Sequence, residues 1–227
     1  MDDTSPSIRP TGAATARAAP ILSIVVPVRD GEDALAGLLS ELEPQMALAG
    51  EAVELIVANE GTRATSMNRG AERARGRFLW FLHADSRLRP DTVGRLLAAV
   101  TTRPAALHYF DLVFLGDGPA VMRLNQWGAW VRSRWLGVPF GDQGLCLARD
   151  TFARVGGYPE DAAFGEDHLF VWRCRQAGIR LAPVRAPLAT SARTYRRHGW
   201  LKLTVLYQIR WIGQALPEWR RLRAGQS

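Results

Sequence analysis

Polar side chains follow three apolar runs of the sequence, at the point where each run ends. These side chains are Asp30, Glu32 and Asp33 after residues 21–28, Asn59 and Glu60 after residues 53–58, and His83 and Asp85 after residues 77–82. Hard divalent cations take oxygen ligands and accept substrate phosphates in the remaining positions, so a lone carboxylate such as Asp85 can anchor a metal-bound diphosphate. His83 is a softer ligand that suits Mn²⁺ better than Mg²⁺. The alternative is that these polar residues simply end three strands.

The elements that must position these residues alternate along the chain. Short apolar runs predict strands over 21–28, 53–58, 77–82, 106–115, 143–148 and 179–184. Helical spacing predicts a helix from about 35 that ends before Gly50, and one in residues 65–76 that is stopped by Gly76. It also predicts helices over 120–134 and 166–177, one with Asp91 as N-cap, a short one capped by Asp150, and a long C-terminal helix. This order predicts an α/β fold, with a mostly parallel sheet covered by helices on both faces. In such a sheet the carboxyl edge binds ligands, which would gather the loops 28–33, 59–63 and 83–89.

The composition favours one domain. With 227 residues and 47% hydrophobic side chains, the chain can bury one substantial core. We expect a disordered leader over 1–20, the main domain over 21–190 and a basic, aromatic helical segment over 191–227. The leader lacks the apolar stretch of a secretory signal, and no apolar run is long enough to span a membrane.

The chain is basic, with a net charge of +7 and a pI near 10.4. Lys202 is the only lysine, and no nucleic-acid motif accompanies the arginines, so nucleic acid is not the expected partner. Cys146 and Cys174 have no metal-binding spacing, which favours a reducing cytoplasm.

Five segments of the sequence stand in the order found in a known enzyme family. They are "SIVVPVRDGEDAL", "ELIVANEGT", "MNRGAERARGRFLWFLHADS", "GDQGLCLARDTFARVGGYPE" and "FGEDHLFVWRCRQAG". This arrangement, over residues 21–200, resembles family 2 glycosyltransferases of the GT-A (Rossmann-like) fold. It is most similar to a small bacterial subgroup with a His-Ala-Asp strand-end motif, associated with radical-SAM/selenodomain proteins.

The resemblance implies an inverting transfer of a sugar from a nucleotide-diphosphate sugar to an acceptor hydroxyl, with Mn²⁺ or Mg²⁺ as cofactor. The resemblance implies that the nucleotide is bound by Pro27, Val28, Arg29, Asp30, Asn59 and Glu60. It implies that the metal is bound by Asp85 and His83, and that the catalytic base is Asp167, with Glu166 beside it. In this chemistry a carboxylate takes the proton of the attacking hydroxyl, and the cation stabilises the leaving diphosphate.

The sequence departs from the family after Thr62, where roughly 20 residues of a helix and an edge strand are missing. Loss of an edge strand leaves the central strands paired, but it shortens the wall of the nucleotide site. Arg63 is a candidate to contact phosphate in compensation, or else a solvated surface arginine. Asp142 and Gln143 are candidates for sugar contacts, or else ordinary turn residues.

The C-terminal segment is basic and aromatic. From Arg193 onward it carries eight Lys or Arg residues against one acid, Glu218. It either lies on an anionic membrane surface near a lipid-linked acceptor, peripheral to the inner face of the membrane, or packs on the domain with its arginines solvated. His198 is a candidate to complete the metal site or a structural histidine.

Two other functions remain open from the sequence. A sugar nucleotidyltransferase has a similar sheet, but its phosphate loop is Gly-rich and basic, whereas "VRDGED" (28–33) is acidic. A non-catalytic relative that binds a nucleotide-sugar or a membrane surface would be consistent with the missing segment.

Overall fold

A computed structural model of the chain describes residues 19–225, so nearly all of the predicted leader lies outside the described residues. Within them the strands are β1 (Leu22–Pro27), β2 (Val53–Ala58), β3 (Phe78–Phe81), β4 (Leu107–Phe114), β5 (Cys146–Ala148) and β6 (Leu181–Thr190). The helices are α1 (Ala34–Ala49), α2 (Arg63–Arg73), α3 (Thr92–Thr102), α4 (Met122–Arg134), α5 (Arg149–Arg154), α6 (Glu166–Gln176), α7 (Arg193–His198) and α8 (Trp200–Ala224).

The strands form one sheet in the order β2-β1-β3-β5-β4-β6. All neighbours are parallel except β5, which runs antiparallel to both β3 and β4. In the centre, Val25 of β1 pairs with Ile56 on one side and Phe81 on the other. The predicted mostly parallel α/β sheet is therefore confirmed, with one reversed strand inside it.

Both faces of the sheet are covered, as the continuous apolar runs predict. Because successive strand residues point to opposite faces, Trp80 packs towards α1 and α3 while Leu79 and Phe81 pack towards α2, α5 and α6. Trp80 and Phe81 are almost entirely shielded from solvent. This double burial explains the unbroken run "FLWFL" (78–82), and the chain can expose polar residues only once β3 has left the core.

The shortened connection after β2 has the expected effect on the sheet. From Ala58 the chain passes through four residues into α2, and β2 has no strand on its outer side among residues 19–225. The six strands form their ladders without a strand outside β2 in the described residues.

Two strand boundaries differ from the sequence prediction. β6 extends to Thr190 rather than ending at 184, although it contains Pro183 and Pro187. It lies at the sheet edge, where a residue without an N–H costs no ladder hydrogen bond on the open side. β5 begins only at Cys146 rather than at 143, because residues Gly141–Gln143 form a 3₁₀ turn.

Two predicted helix caps are also different. Asp91 occupies the N-cap position of α3, yet its carboxylate binds Arg95 at 2.5 Å instead of capping a backbone N–H. The short helix α5 starts from Ala148, so Asp150 lies in its first turn, where a negative charge suits the helix dipole.

The C-terminal helix α8 packs on α6. Gln214 hydrogen-bonds to the His168 ring at 3.1 Å, and Gln176 donates to the Glu218 carboxylate at 2.8 Å. This inner face agrees with the packing alternative. No helix in the described part of the chain combines the length and the apolar character needed to cross a membrane.

Candidate active site

The residues at the end of β1 lead the chain to the edge of a cleft. Pro27 is the last residue of β1 and pairs with Ala58, and the Val28 N–H donates to Ala58 O at 2.8 Å. Val28 is half-buried, and Arg29 and Asp30 are exposed. The backbone pairing thus ends where the side chains become accessible to a ligand.

A side-chain hydrogen bond joins the loops after β1 and β2. The Asn59 amide donates to Asp30 Oδ1 at 2.6 Å. Glu60 is directed elsewhere, because its carboxylate binds Arg73 of α2 at 2.8 Å. Asp30 and Asn59 therefore join the two loops, while Glu60 pairs with α2.

His83, just after β3, lies between the charges of Arg63 and Asp167. The distance from Arg63 Nη1 to His83 Nε2 is 3.5 Å. Burial lowers the pKa of His83 to about 3, and the charge of Arg63 acts in the same direction against the opposing charge of Asp167. The imidazole is therefore neutral throughout the ordinary pH range.

Asp85 lies two residues further on, facing β6. Thr190 Oγ1 donates to Asp85 Oδ2 at 3.3 Å. Burial raises the pKa of Asp85, and the negative charge of Glu32 adds to that effect, while Thr190 and Arg87 partly oppose it. A carboxylate in this situation gains from the approach of a cation.

Asp167, in the first turn of α6, is held by backbone groups. The Gly141 N–H donates to Asp167 Oδ2 at 2.5 Å, and the His168 N–H donates to Oδ1 at 2.9 Å. Burial alone would raise the pKa of Asp167, but the Arg63 charge and these hydrogen bonds outweigh it and place the pKa below its usual value. Asp167 is therefore an ionised, fixed carboxylate.

Glu166 is paired with Arg63, whose Nε donates to Glu166 Oε1 at 2.5 Å. Despite burial, the charges of Asp167 and Glu166 raise the pKa of Arg63. The sequence left Arg63 as a phosphate contact or a solvated arginine. The structure instead places it against Glu166, His83 and Asp167.

Asp142 is buried, and its pKa responds to the charges of Asp85 and Asp167, the two aspartates predicted for the site. Burial raises its pKa to about 6, and the negative charges of Asp167 and Asp85 both contribute, against the attraction of Arg132. Its Oδ1 is buried and has no hydrogen-bond partner in the described residues. Asp167 lines the same cavity as Asp142, whereas Asp85 lines a second cavity.

Gln143 is used inside the protein. Its amide nitrogen donates to Phe110 O at 2.9 Å, and its amide oxygen accepts from Ser133 Oγ at 3.0 Å and from the Phe140 N–H at 3.1 Å. Of the two residues proposed for sugar contacts, Asp142 alone lines a cavity and has an unpaired polar atom.

Two cavities meet at Thr190 and Ser191. The larger, about 730 Å³, contains Asp167, His83 and Asp142 at its polar end. The smaller, about 280 Å³, is lined by Asp85 together with Arg87 and other polar residues. Thr190 lines the larger cavity and binds Asp85, and Ser191 lines both. The cleft thus consists of a small cavity with charged side chains in its wall and a larger cavity.

The larger cavity has mainly apolar walls that the sequence analysis did not identify. Its wide part is lined by Phe114, Leu124, Trp127, Phe140, Phe164, Tyr195, Trp200, Tyr207 and Trp211. These side chains come from β4, α4, α7, α8 and the loops between elements. Spacing along one helix predicts a face but not which helices meet, so only the basic, aromatic composition of the C-terminal segment gave a signal.

The donor set fits a hard cation at Asp85. No group of three or more His, Cys, Asp or Glu side chains within residues 19–225 could hold a metal ion by itself. Mg²⁺ and Mn²⁺ do not require such a group, because one carboxylate with substrate phosphates and water can complete their coordination. The His83 nitrogen lies beside the Arg63 guanidinium, where a cation would be repelled. His198, at the end of α7, is exposed and lines neither cavity.

Residues 25–158, more than half of the chain, match the sequence profile of the family described as Glycosyl transferase family 2. The chain belongs to glycosyl transferase family 2. The prediction of a glycosyltransferase is thereby confirmed at the level of the family. No curated protein matches this family 2 chain in sequence.

Solved glycosyltransferase structures share the fold of this family 2 chain. The mannosyltransferase PcManGT from Pyrobaculum calidifontis, in complex with GDP-Man and Mn²⁺, superimposes with a TM-score of 0.62 at 14% identity, over 92% of this chain and 70% of that one. S. aureus TarS gives a TM-score of 0.56 at 15% identity, over 75% of this chain and 36% of that one. TarS 1–349 with UDP-GlcNAc gives 0.53 at 15% identity, over 76% and 58%. These likenesses confirm the GT-A fold, and the chain spans only part of the TarS length.

Proposed function

We propose that the chain is a metal-dependent, inverting glycosyltransferase that moves a sugar from a nucleotide-diphosphate sugar to an acceptor hydroxyl. One observation carries this proposal: Asp167 and Asp85 line two cavities that share Ser191, which supports a cation-binding carboxylate and a fixed base in adjoining parts of one cleft. Family membership and the fold support the same reaction class.

The donor is proposed to bind across the loops that carry Pro27, Val28, Arg29, Asp30 and Asn59. The Asp30–Asn59 hydrogen bond supplies a polar wall for the nucleoside, and the smaller cavity beside Asp85 has room for the diphosphate. Structural neighbours bound to GDP-Man, UDP and UDP-GlcNAc support a nucleotide-sugar as ligand. Glu60 supports this site indirectly through Arg73.

Mn²⁺ or Mg²⁺ is the proposed cofactor, with Asp85 as its protein ligand. The cation would supply charge stabilisation for the departing nucleoside diphosphate. Thr190 orients the carboxylate, and its burial strengthens the attraction for a cation. His83, expected from the resemblance as a second ligand, is better suited as a neutral neighbour of Arg63 and Asp167.

Asp167 is the proposed base. In the transfer, its carboxylate accepts the proton of the acceptor hydroxyl while that oxygen bonds to the anomeric carbon. The bond from the anomeric carbon to the diphosphate breaks, its electron pair leaves with the diphosphate oxygen, and attack from the opposite side inverts the centre. The Gly141 and His168 N–H groups hold the carboxylate in place, and Arg63 keeps it ionised. Glu166 is proposed to assist by fixing Arg63.

The subgroup, the cellular compartment, the domain bounds and the membrane association are proposed from the sequence. The His-Ala-Asp motif at residues 83–85 supports the radical-SAM/selenodomain-associated subgroup, and the free, buried Cys146 and Cys174 suit a reducing cytoplasm. We propose a catalytic domain over 21–190 with residues 191–227 as an attached segment. A lipid-linked acceptor and peripheral association with a membrane surface are proposed for that segment from its basic, aromatic composition.

Calorimetry with a panel of nucleotide-diphosphate sugars and Mn²⁺ tests the proposal. We expect Asp85→Asn to lose the metal-dependent part of donor binding. Asp167→Asn should bind donor normally but lower donor hydrolysis and transfer by about 100-fold or more. Asp161→Asn, on the exposed surface before α6, is the matched control.

The same experiment separates the alternative of a non-catalytic binding relative, which the shortened wall after β2 favours. Such a protein would bind a donor, and neither wild type nor Asp167→Asn would hydrolyse it. Failure of every donor to bind in the presence of Mn²⁺ would refute both functions.

A further inference from the structure

The outer face of α8 carries a regular row of apolar side chains in contact with solvent. We call these residues the outward stripe: Leu201, Val205, Ile209, Ile212, Leu216 and Trp219. Each is between 42% and 66% exposed. Their spacing of three or four residues places them on one side of the helix. Of the buried residues of α8, Leu203 and Glu218 lie on the other side, and Ala215 lies at the margin of the stripe.

The outward stripe is not needed to hold α8 in place. The helix is attached through its inner side, by the contacts of Gln214 and Glu218 with α6. Scattered apolar residues on a surface are ordinary, but a contiguous row rimmed by charged residues is characteristic of an interaction surface. The stripe therefore requires a partner that offers an apolar phase.

The charges around the outward stripe have one sign. Residues 191–225 contain eight Lys or Arg residues, all exposed, and one acid, Glu218. That acid is buried and forms an ion pair with Arg221. The neighbouring stretch 119–140, which includes α4, contains no acidic residue. The whole face is thus positive and complements a negative surface.

We propose that the outward stripe docks α8 onto an anionic phospholipid surface, with its apolar side chains in the interface and its basic side chains at the headgroups. An amphipathic helix with basic residues beside an apolar face has the chemistry for this position. A second copy of the chain fits less well, because a two-fold contact would oppose two positive faces. Nucleic acid would satisfy the charges but would leave the stripe without an apolar partner.

The docking site explains the position of the larger cavity and, resting on the proposed function, deepens it. Tyr207 and Trp211 of α8 line that cavity, and α8 is joined to α4 by the Trp200–Asn125 hydrogen bond at 2.6 Å. With the outward stripe on the membrane, the aromatic walls beside Asp167 would lie behind α8, one helix diameter of about 10 Å from the lipid. The acceptor class that reaches the base from there is an amphiphile with an apolar chain and a hydroxyl head.

Vesicle co-sedimentation of the full chain tests the docking site. We expect binding to vesicles of equal parts phosphatidylcholine and phosphatidylglycerol, and little binding to phosphatidylcholine alone. Ile209→Gln with Ile212→Gln should lower the partition coefficient at least about tenfold, since each removes an apolar group from the interface. Lys202→Glu with Arg220→Glu should reduce binding to the anionic vesicles only. Leu48→Gln, at an 89% exposed position on α1, is the matched apolar control.

The vesicle-binding results distinguish the docking site from its alternatives. Equal binding by wild type and the isoleucine double variant would overturn the proposal, as would concentration-dependent dimerisation that the same variant abolishes. Circular dichroism of each variant excludes unfolding as the cause of lost binding. Ile209 and Ile212 line neither cavity, so donor hydrolysis should be unchanged. Loss of vesicle binding with normal hydrolysis separates this inference from the proposed reaction.

Discussion

Arg63 at the start of α2 and Glu166 at the start of α6 form an ion pair across 103 residues of sequence, with Arg63 Nε 2.5 Å from Glu166 Oε1. The pair joins two helices on the same face of the sheet and brings the guanidinium close to Asp167. One cation thereby fixes one carboxylate and keeps the other ionised.

Replacement of Arg63 by Gln should shift the acidic limb of the activity profile. Arg63 lowers the pKa of Asp167, so its removal raises that pKa, and activity should be lost at a higher pH as the pH falls. The pH dependence of kcat/KM measures this shift. Because Arg63 is 37% exposed, we expect an unfolding free energy lower by only about 1–2 kcal/mol. Arg69→Gln, in a surface pair with Glu72, is the control and should leave the profile unchanged.

Replacement of Asp142 by Asn should stabilise the protein above neutral pH. The folded-state pKa of Asp142 is raised to about 6 from its usual 3.8, so stability is lost progressively as the pH rises from about 4 to about 6 and stays low above that range. The Asn variant removes this cost, by about 1–3 kcal/mol at pH 8 and by roughly half as much at pH 5. Thermal unfolding at both pH values measures the difference. Asp150→Asn, exposed on α5, should show no such pH-dependent gain.

Replacement of Gly141 by Ala should displace the proposed base. A Cβ at this position would lie 2.6 Å from Asp167 Oδ2 and 3.0 Å from His83 Nε2, so the carboxylate must move. A misplaced base affects the chemical step, and we expect kcat to fall about 100-fold with donor affinity retained. Gly94→Ala in α3, where a Cβ meets nothing within 4 Å, is the control. Normal kcat in Gly141→Ala would contradict the role of Asp167.

His83 should make the fold sensitive to acid. Its folded-state pKa of about 3 lies below the ordinary value of 6.5, so the unfolded chain binds a proton first and stability falls as the pH drops below 6.5. Chemical denaturation at several pH values should give a smaller acid loss for His83→Gln. His198→Gln, at an exposed position of α7, should retain the wild-type dependence. An identical acid loss in both variants would show that other groups dominate.

The central strands were predictable because their sequence pattern has one physical cause. Residues 78–82 are apolar without interruption since helices cover both faces of the sheet there, and β2, which is apolar except for Glu54, begins and ends as expected. The boundaries of β5 and β6 were not predictable. They depend on a 3₁₀ turn at Gly141–Gln143 and on the edge position of β6, neither of which is encoded by local periodicity.

The candidate site was predictable only in part, for the same reason. The loops that carry Asp30, Asn59 and Asp85 follow from the strand order, since parallel strands bring their carboxyl ends together. The pairing of Arg63 with Glu166, and the burial of Asp142 in the cavity that Asp167 also lines, depend on contacts between distant segments. The pattern of residue types along the sequence does not show which distant segments come into contact.

The direct passage from β2 into α2 bears on donor choice. A nucleoside bound as proposed would lie against the Asp30–Asn59 hydrogen bond, and residues 19–225 supply no further strand beyond β2 to enclose it. The outer edge of the base would then stay hydrated, and donors with a purine nucleotide and donors with a pyrimidine nucleotide would bind with similar free energies. Preference among donors would have to come from the sugar end, where Asp142 is buried, so one such enzyme could accept the same sugar on more than one carrier.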